Sequence, residues 1–536
     1  MKINKLQRYV FNGLLLSCAA LFMRGVSVGF NVYISGKIGA QGMGLLTLCL
    51  GIYGFGITFA TSGVSLAVMR LVSGALPYDD LSKINKNDDK TVCKIMKKAL
   101  CYSLFFGLLA SFVLYVSAQS ISRYLLDDIR AVRCLKLMSF SLTPIAISSA
   151  LNGYFYAVRR VYKNVLTQLI EQGAKITIVC LLLASFTSDI ESACVAIVAG
   201  GALAEALSVI VLGLFYYFDK KLHYQKSAKM RLREKKICKC CQNNKSDDIS
   251  VTSVALPVAI SAYVRSALTT TEHLLIPWGL KKSGLNSGNA LASYGILHGM
   301  VLPLLLFPSA VLGAFSSLLV PELSSALATG DEARIKSIVS RVFDTTLLFA
   351  LGVSGIFICF SYEIGNFFYS SSEAAIFIKL LAPLIPLMYI DGAVDSMLKG
   401  LGHQLYTMRV NIVDSALSVC LIVALLPLFG IYGFVAVIFI TELVNTTFSI
   451  LKLLEISSVK TPIAKWILKP IFAISISTVL CRIIFNLELF ESIYGKGLTV
   501  IEITFTFVFY LIFSRIFGSV SSYDVSFYRS IFKTKK

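Results

Sequence analysis

Long apolar runs separated by short polar turns dominate this chain. The first extends from Val10 to Ser35, and thirteen more follow at close intervals. They lie near 10–34, 44–70, 98–120, 136–157, 165–187, 191–217, 250–275, 290–319, 343–366, 375–398, 407–428, 431–452, 464–486 and 498–518. At ~1.5 Å rise per residue, a run of ~20 apolar residues is the length of a membrane-spanning helix. The strands of an outer-membrane barrel would instead alternate over ~10 residues. The pattern predicts an all-α polytopic membrane protein with about fourteen transmembrane helices.

Composition agrees with the pattern. Hydrophobic residues make up 56% of the 536 and charged ones only 15%, against ~25% charged in a soluble domain. The net charge of +20 would suggest nucleic acid, but its placement points to a membrane. Lys2, Lys5 and Arg8 lead the chain, and ten Lys/Arg fall within 219–248. The other basic residues crowd into every second loop, as the positive-inside rule requires of cytoplasmic segments. Both termini are therefore expected in the cytoplasm. The loop 121–135 fits worst, because it is expected outside yet carries Arg123, Arg130 and Arg133. The first run is too long for a cleaved signal peptide and is interrupted by Arg24, so it is expected to stay as an anchor. The thirteen cysteines are scattered and form no secreted disulfide framework.

Charges inside the runs carry the functional signal. Arg24 falls roughly 20 Å into the first run, where a guanidinium costs on the order of 3 kcal/mol and cannot shed its proton. Arg265 repeats the device in the seventh run. Each arginine should face a polar cavity or a buried partner such as Glu205 or Glu272. Two guanidinium forks in one cavity would suit a pyrophosphate. Glu272, seven residues after Arg265, and Glu205 are candidate coupling or cavity charges. Glu171 and Lys175 have the spacing of a structural i,i+4 pair. Asp391, Asp395 and Lys399 share a helix face near the inner end of a proline-broken run. They form a candidate inner gate or a solvated helix end.

The chain reads as a repeat. An N-terminal six-helix lobe occupies 1–218, and a basic cytoplasmic linker occupies 219–248. A C-terminal six-helix lobe follows at 249–456, then two additional helices and a cytoplasmic tail at 457–536. An even number of spans precedes the linker, so the lobes would be parallel repeats about the membrane normal. Lysines and arginines of the linker would lie along anionic lipid at about 1 kcal/mol each. Cys238, Cys240 and Cys241 there lack a fourth nearby ligand beyond His223, so no metal site is expected.

Several stretches resemble the stage V sporulation protein B and polysaccharide-export branch of the multidrug/oligosaccharidyl-lipid/polysaccharide flippase superfamily. They are IGAQGMGLL (38–46), YGFGITFATSGVSLAVMRLV (53–72), GYFYAVRR (153–160), TQLIEQ (167–172), YGILHGMVLPLLLFPS (294–309) and LAPLIPLMYIDGAVDSMLKGLGHQ (381–404). The resemblance implies two six-helix lobes in a V with two extra C-terminal helices. It implies a bacterial plasma-membrane flippase that moves a polyprenyl-pyrophosphate-linked saccharide by alternating access. Such a substrate would be a cell-wall precursor or an exported polysaccharide unit. A cation-coupled multidrug exporter of the same fold is the alternative, and an integral-membrane glycan polymerase a third reading. Neither a cofactor nor nucleic acid is expected. Expected partners are the lipid-linked saccharide, anionic lipids at the linker, and enzymes of wall or polysaccharide synthesis. No phosphate-binding glycine loop ending in Lys-Ser/Thr is present, so an ATP-driven pump is not expected unless a partner supplies the motor.

Overall fold

The computed structural model describes residues 5–75, 86–158, 160–185, 189–231, 251–459, 462–485 and 496–519. Every regular element among them is helical. Eleven helices in the described residues are long and apolar enough to cross a membrane. The first, α1 (Lys5–Thr61), comprises two helical stretches that meet at a kink at Gly39, in the glycine-rich stretch between the first two apolar runs. Only Gly39 leaves helical geometry there, at φ 67°, a region that only glycine enters without steric cost. The 34 residues before Gly39 and the 22 after it give roughly 50 Å and roughly 33 Å of helix, one pass on each side.

The chain packs as two compact units, one of residues 45–275 and one of residues 1–44 with 276–536. The expected repeat divides the sequence at the linker, whereas packing divides it at Gly44 and Leu275. The 45–275 unit holds the end of α1, then α2 (Val64–Ala75), α3 (Lys86–Ser120), α4 (Ala131–Ala157), α5 (Val161–Ser185), α6 (Ile190–Arg231) and most of α7 (Val251–Lys282). Val64, Val68, Met96, Leu151, Phe155 and Leu212 form its buried cluster, joining α2, α3, α4 and α6. Lipid is as apolar as these side chains, so association rests on close fit and on small residues. Gly153 of α4 shows the fit, since a Cβ there would stand 2.7 Å from the Ser65 carbonyl oxygen. Gly153→Val is expected to push α4 from α2 and lower the melting temperature by several degrees, measurable on the detergent-purified protein.

Tyr263, Ser266, Thr270 and His273 of α7 share one face and meet residues 51–59. Tyr263 and Thr270 donate to the carbonyls of Phe59 and Gly51 at 3.2 Å, and Ser266 to Thr58 at 3.1 Å. His273 packs on Gly51. Arg265 lies off that face and is exposed.

In the other unit, the run expected as one span at 290–319 is divided. It comprises α8 (Ser287–Tyr294), a wider π-type turn, α9 (Leu302–Leu306) and, beyond Pro308, α10 (Ser309–Ala328). Proline lacks the amide donor that would join α9 to α10. The next helix, α11 (Glu332–Cys359), starts earlier than expected because Asp331 caps it, accepting from the Arg334 amide. After α12 (Ser361–Tyr369), the run at 375–398 forms α13 (Ser372–Leu381) and α14 (Ile385–Gly400), joined by a short 3₁₀ turn at Pro383. Helix α15 (Gln404–Ser457) breaks only at Gly430, at φ 58°.

The two additional helices, α16 (Lys469–Phe485) and α17 (Lys496–Ile516), dock on α11. Trp466 stacks on Phe343 with centroids 4.8 Å apart and donates Nε1 to Asp344 at 2.5 Å. Lys465 pairs with the same carboxylate at 2.7 Å. Tyr510 donates to the Leu348 carbonyl at 2.6 Å.

Two expected loops are shorter than the sequence suggested. Residues 86–97 belong to α3 rather than to the loop between the second and third apolar runs, and 219–231 continue α6 rather than opening the linker. Charged residues are good helix formers, so a helix can run past the last apolar turn. Cys238, Cys240 and Cys241 lie outside the described residues.

Candidate functional site

The 45–275 unit holds an open cleft of about 400 Å³ with polar and apolar groups in its lining. Helices α4, α5 and α6 line it, with Ile57 and Thr61 of α1 and Ser65 of α2. Glu171 and Glu205 stand at one end, and Tyr156, Asn164 and Leu212 at the other. From Glu205 to Leu212 is seven residues, roughly 10 Å along the helix. Gln168, Thr167, Asn152, Ser148 and Ser149 add polar groups between. Ser208 donates a hydrogen bond to Glu171, and Glu205 lies within electrostatic range of Glu171 and Lys175. The Lys175 stem passes Gly201 of α6.

Chemically, this is a place for a small cation. Two carboxylates in a low-dielectric bundle repel one another, and a proton or a monovalent cation between them relieves the repulsion. Hydroxyls and carboxamides supply the oxygen ligands that hard cations prefer. Among the described residues, no group of three His, Cys, Asp or Glu is close enough to hold a metal on its own.

Glu205 thus stands in a cavity. Glu171 and Lys175 do not form the direct pair their spacing suggested; the Glu171 carboxylate instead accepts a hydrogen bond from Ser208 of α6. Glu272 is half-buried on α7 and engaged by neighbours of its own. Arg265, on the same helix, forms no ion pair with it or with Glu205. Arg24 is exposed on α1. Its neighbourhood is set by Gly25 against Phe307 and by Asn31, which donates to the Gly299 carbonyl at 2.6 Å. Arg24 lies within electrostatic range of Tyr389, whose hydroxyl donates to the Leu305 carbonyl at 2.6 Å. Among the described residues, neither arginine carries an ion pair. The buried salt-bridge reading of these arginines is therefore not supported.

Asp395 and Lys399 pair at 3.0 Å on a partly exposed helix end. Asp391 separates from them and lies within electrostatic range of Glu442, as does Asp414. Thr446 donates to Glu442 at 3.4 Å. Neither Asp414 nor Glu442 stood out in the sequence. Their signal was the repeat, since Asp414 stands ten residues into α15 and Glu171 ten into α5.

A profile of the polysaccharide biosynthesis protein family matches residues 10–327. The chain belongs to that family. Within the family's wider circle it is 26% identical over 448 residues to stage V sporulation protein B of Bacillus subtilis (strain 168), covering 82% of each chain. It is 22% identical over 450 residues to the lipid II flippase MurJ of the same organism, covering 79% of this chain and 78% of that one. The fold matches a structure of lipid II flippase MurJ in an inward closed conformation, with TM-score 0.67, 15% identity, and coverage of 97% of this chain and 99% of that one. It also matches an inward-facing multidrug resistance MATE family transporter of the MOP superfamily, with TM-score 0.59, 14% identity, and coverage of 82% and 98%. This family member is a membrane transporter of the multidrug/oligosaccharidyl-lipid/polysaccharide flippase superfamily.

One charged group sits where the sequence placed a soluble segment. Asp219, read as the first residue of the linker, is fully buried. Arg160 and Lys163 both pair with it, Lys163 at 2.5 Å. A buried carboxylate persists only with such partners. The signal was present in GYFYAVRR (153–160), whose last residue is Arg160, but its partner lies 59 residues away.

Proposed function

We propose that this family member flips a polyprenyl-pyrophosphate-linked saccharide from the cytoplasmic to the outer leaflet of a bacterial plasma membrane, by alternating access. The observation that carries the reading is that Arg24 and Arg265, each set within an apolar run of the sequence, are exposed and hold no ion pair among the described residues. A guanidinium at that depth needs an anionic or aqueous partner, and its fork matches phosphate oxygens. Arg24 and Arg265 are the proposed head-group contacts. The relatives named as a lipid II flippase and a sporulation protein support a lipid-linked wall precursor as cargo. The distribution of Lys and Arg along the sequence supports cytoplasmic termini in this reading. In this reading the linker lies along anionic lipid, and synthesis enzymes deliver the cargo.

The Glu171–Glu205 cavity is the proposed coupling site, taking a proton or a monovalent cation. That cavity and the MATE-like fold also suit cation-coupled multidrug export. Reconstitution separates the two readings. Flippase activity predicts transfer of fluorescent polyprenyl-pyrophosphate saccharides above protein-free vesicles. Drug export predicts gradient-driven movement of a cationic dye and no lipid transfer.

A further inference from the structure

The Glu171–Glu205 pair accounts for one end of the cleft and leaves the rest of its lining without a role. Ser148, Asn152 and Tyr156 recur every fourth residue along α4, and Asn164, Thr167 and Gln168 share one face of α5. Both stripes line the cleft. Polar side chains inside a membrane bundle commonly bond from helix to helix. Here Thr167 donates back to the Lys163 carbonyl of its own helix at 2.9 Å, and Asn164 Nδ2 reaches the Asn152 carbonyl of α4 only at 3.3 Å. Ser148 and Asn164 are buried, at 8% and 1% exposure. Ser148 Oγ and Asn164 Oδ1 nonetheless have no hydrogen-bond partner among the described residues, and buried polar groups call for one.

Size and chemistry narrow the ligand. A monovalent cation fills about the 30 Å³ share of one water, against about 400 Å³ here. That volume falls in the ~300–1,000 Å³ range of small-molecule sites. Hydroxyls and carboxamides both donate and accept, which suits the vicinal hydroxyls of a sugar. Asn164 Oδ1 only accepts, so the ligand must donate there. Tyr156 stands exposed at the mouth with Gln168, where its ring can cover the C–H face of a pyranose. Among the described residues no other aromatic ring lines the cleft, whereas an organic cation is best held by several. Tyr156 and Gln168 lie within two turns of the α4–α5 junction, the end that the flippase reading turns toward the cytoplasm, where cargo is loaded.

We propose that this cleft binds an uncharged pyranose of the cargo saccharide, anchored by Ser148 and Asn164 and covered by Tyr156. The inference rests on the flippase reading and adds to it the place where the sugar is held. The coupling cation stays with Glu171 and Glu205, so ring and cation occupy one cleft side by side.

The test uses the full chain, purified in a detergent without a sugar head group. Methyl β-glucoside and its 2-acetamido analogue are the probes, and saturation-transfer NMR reads their contact with the protein. Tetraphenylphosphonium is the competing organic cation. The folded protein is expected to transfer saturation to at least one glycoside. Ser148→Ala and Asn164→Leu should each weaken that binding about tenfold, the effect of losing one hydrogen bond to a buried group. Tyr156→Ala, at an exposed position, should weaken it in the same direction, and tetraphenylphosphonium should not displace the sugar. Transfer to neither glycoside by the folded protein overturns the proposal. So does binding that Ser148→Ala and Tyr156→Ala both leave unchanged, or a cleft that takes tetraphenylphosphonium in place of the sugar. Failure of the flippase reading itself would appear separately, as vesicles in which no lipid-linked saccharide moves although the glycosides bind as described.

Discussion

Glu205→Gln is expected to abolish gradient-driven transport while the protein stays folded and abundant. Glutamine keeps the volume and the hydrogen-bonding capacity of glutamate but removes the charge that would hold a proton or cation opposite Glu171. Without that exchange the gradient has no purchase on the conformational cycle. A coupling group of this kind should cost at least a hundredfold in gradient-driven rate, about 2.7 kcal/mol in barrier terms. Glu171→Gln should fall in the same direction but less far, roughly tenfold, because Ser208 still donates to the amide oxygen. The measurement is the initial flipping rate in proteoliposomes under imposed pH and sodium gradients, beside melting temperature. A rate that keeps its dependence on both gradients in the double variant removes the cavity from the coupling mechanism.

The arginines should behave differently. Arg24→Ala and Arg265→Ala are each expected to lower flipping more than a hundredfold without lowering membrane abundance. The second half of that statement follows from their surroundings. Removing one partner of a buried pair strands the other and costs ~3–5 kcal/mol, but neither arginine holds an ion pair among the described residues. Truncation should therefore leave no stranded carboxylate. Lysine at either position keeps the charge and loses the planar fork, so it should retain part of the rate. Abundance by immunoblot and rate by lipid transfer, taken on the four variants together, check both halves. A fall in abundance that tracks the fall in rate would make the arginines structural.

Much of this architecture was legible in the sequence because a membrane leaves few choices. Apolar runs of twenty residues must be helices, since lipid offers no partner for the backbone. Arginine at position 24 or 265 is conspicuous against such a background. What the runs hide is where a helix ends. Gly39 and Gly430 interrupt α1 and α15 at single residues, while Pro308 divides what hydropathy reads as one span. Charged tails such as 219–231 extend a helix without any apolar signal. Sites built from several helices were harder still. Glu171 and Lys175 looked like a local pair, yet the relevant neighbours of Glu171 are Ser208 and Glu205 on α6. Asp219 sits in a run of charges that reads as solvated, and only the α4–α5 turn reveals why it is buried. Compactness likewise groups residues 1–44 with the second half of the chain, which no repeat in the sequence announces.

Head-group selectivity tests the central claim most directly. The purified protein is reconstituted with three lipids that carry the same fluorescent saccharide on the same polyprenyl chain, through a pyrophosphate, a monophosphate or a neutral ether. Inner-to-outer transfer is then timed for each. The account predicts rapid transfer of the pyrophosphate lipid, slower transfer of the monophosphate, and none of the neutral lipid above protein-free vesicles. Equal transfer of all three, or transfer of none while a cationic dye is expelled, would contradict it.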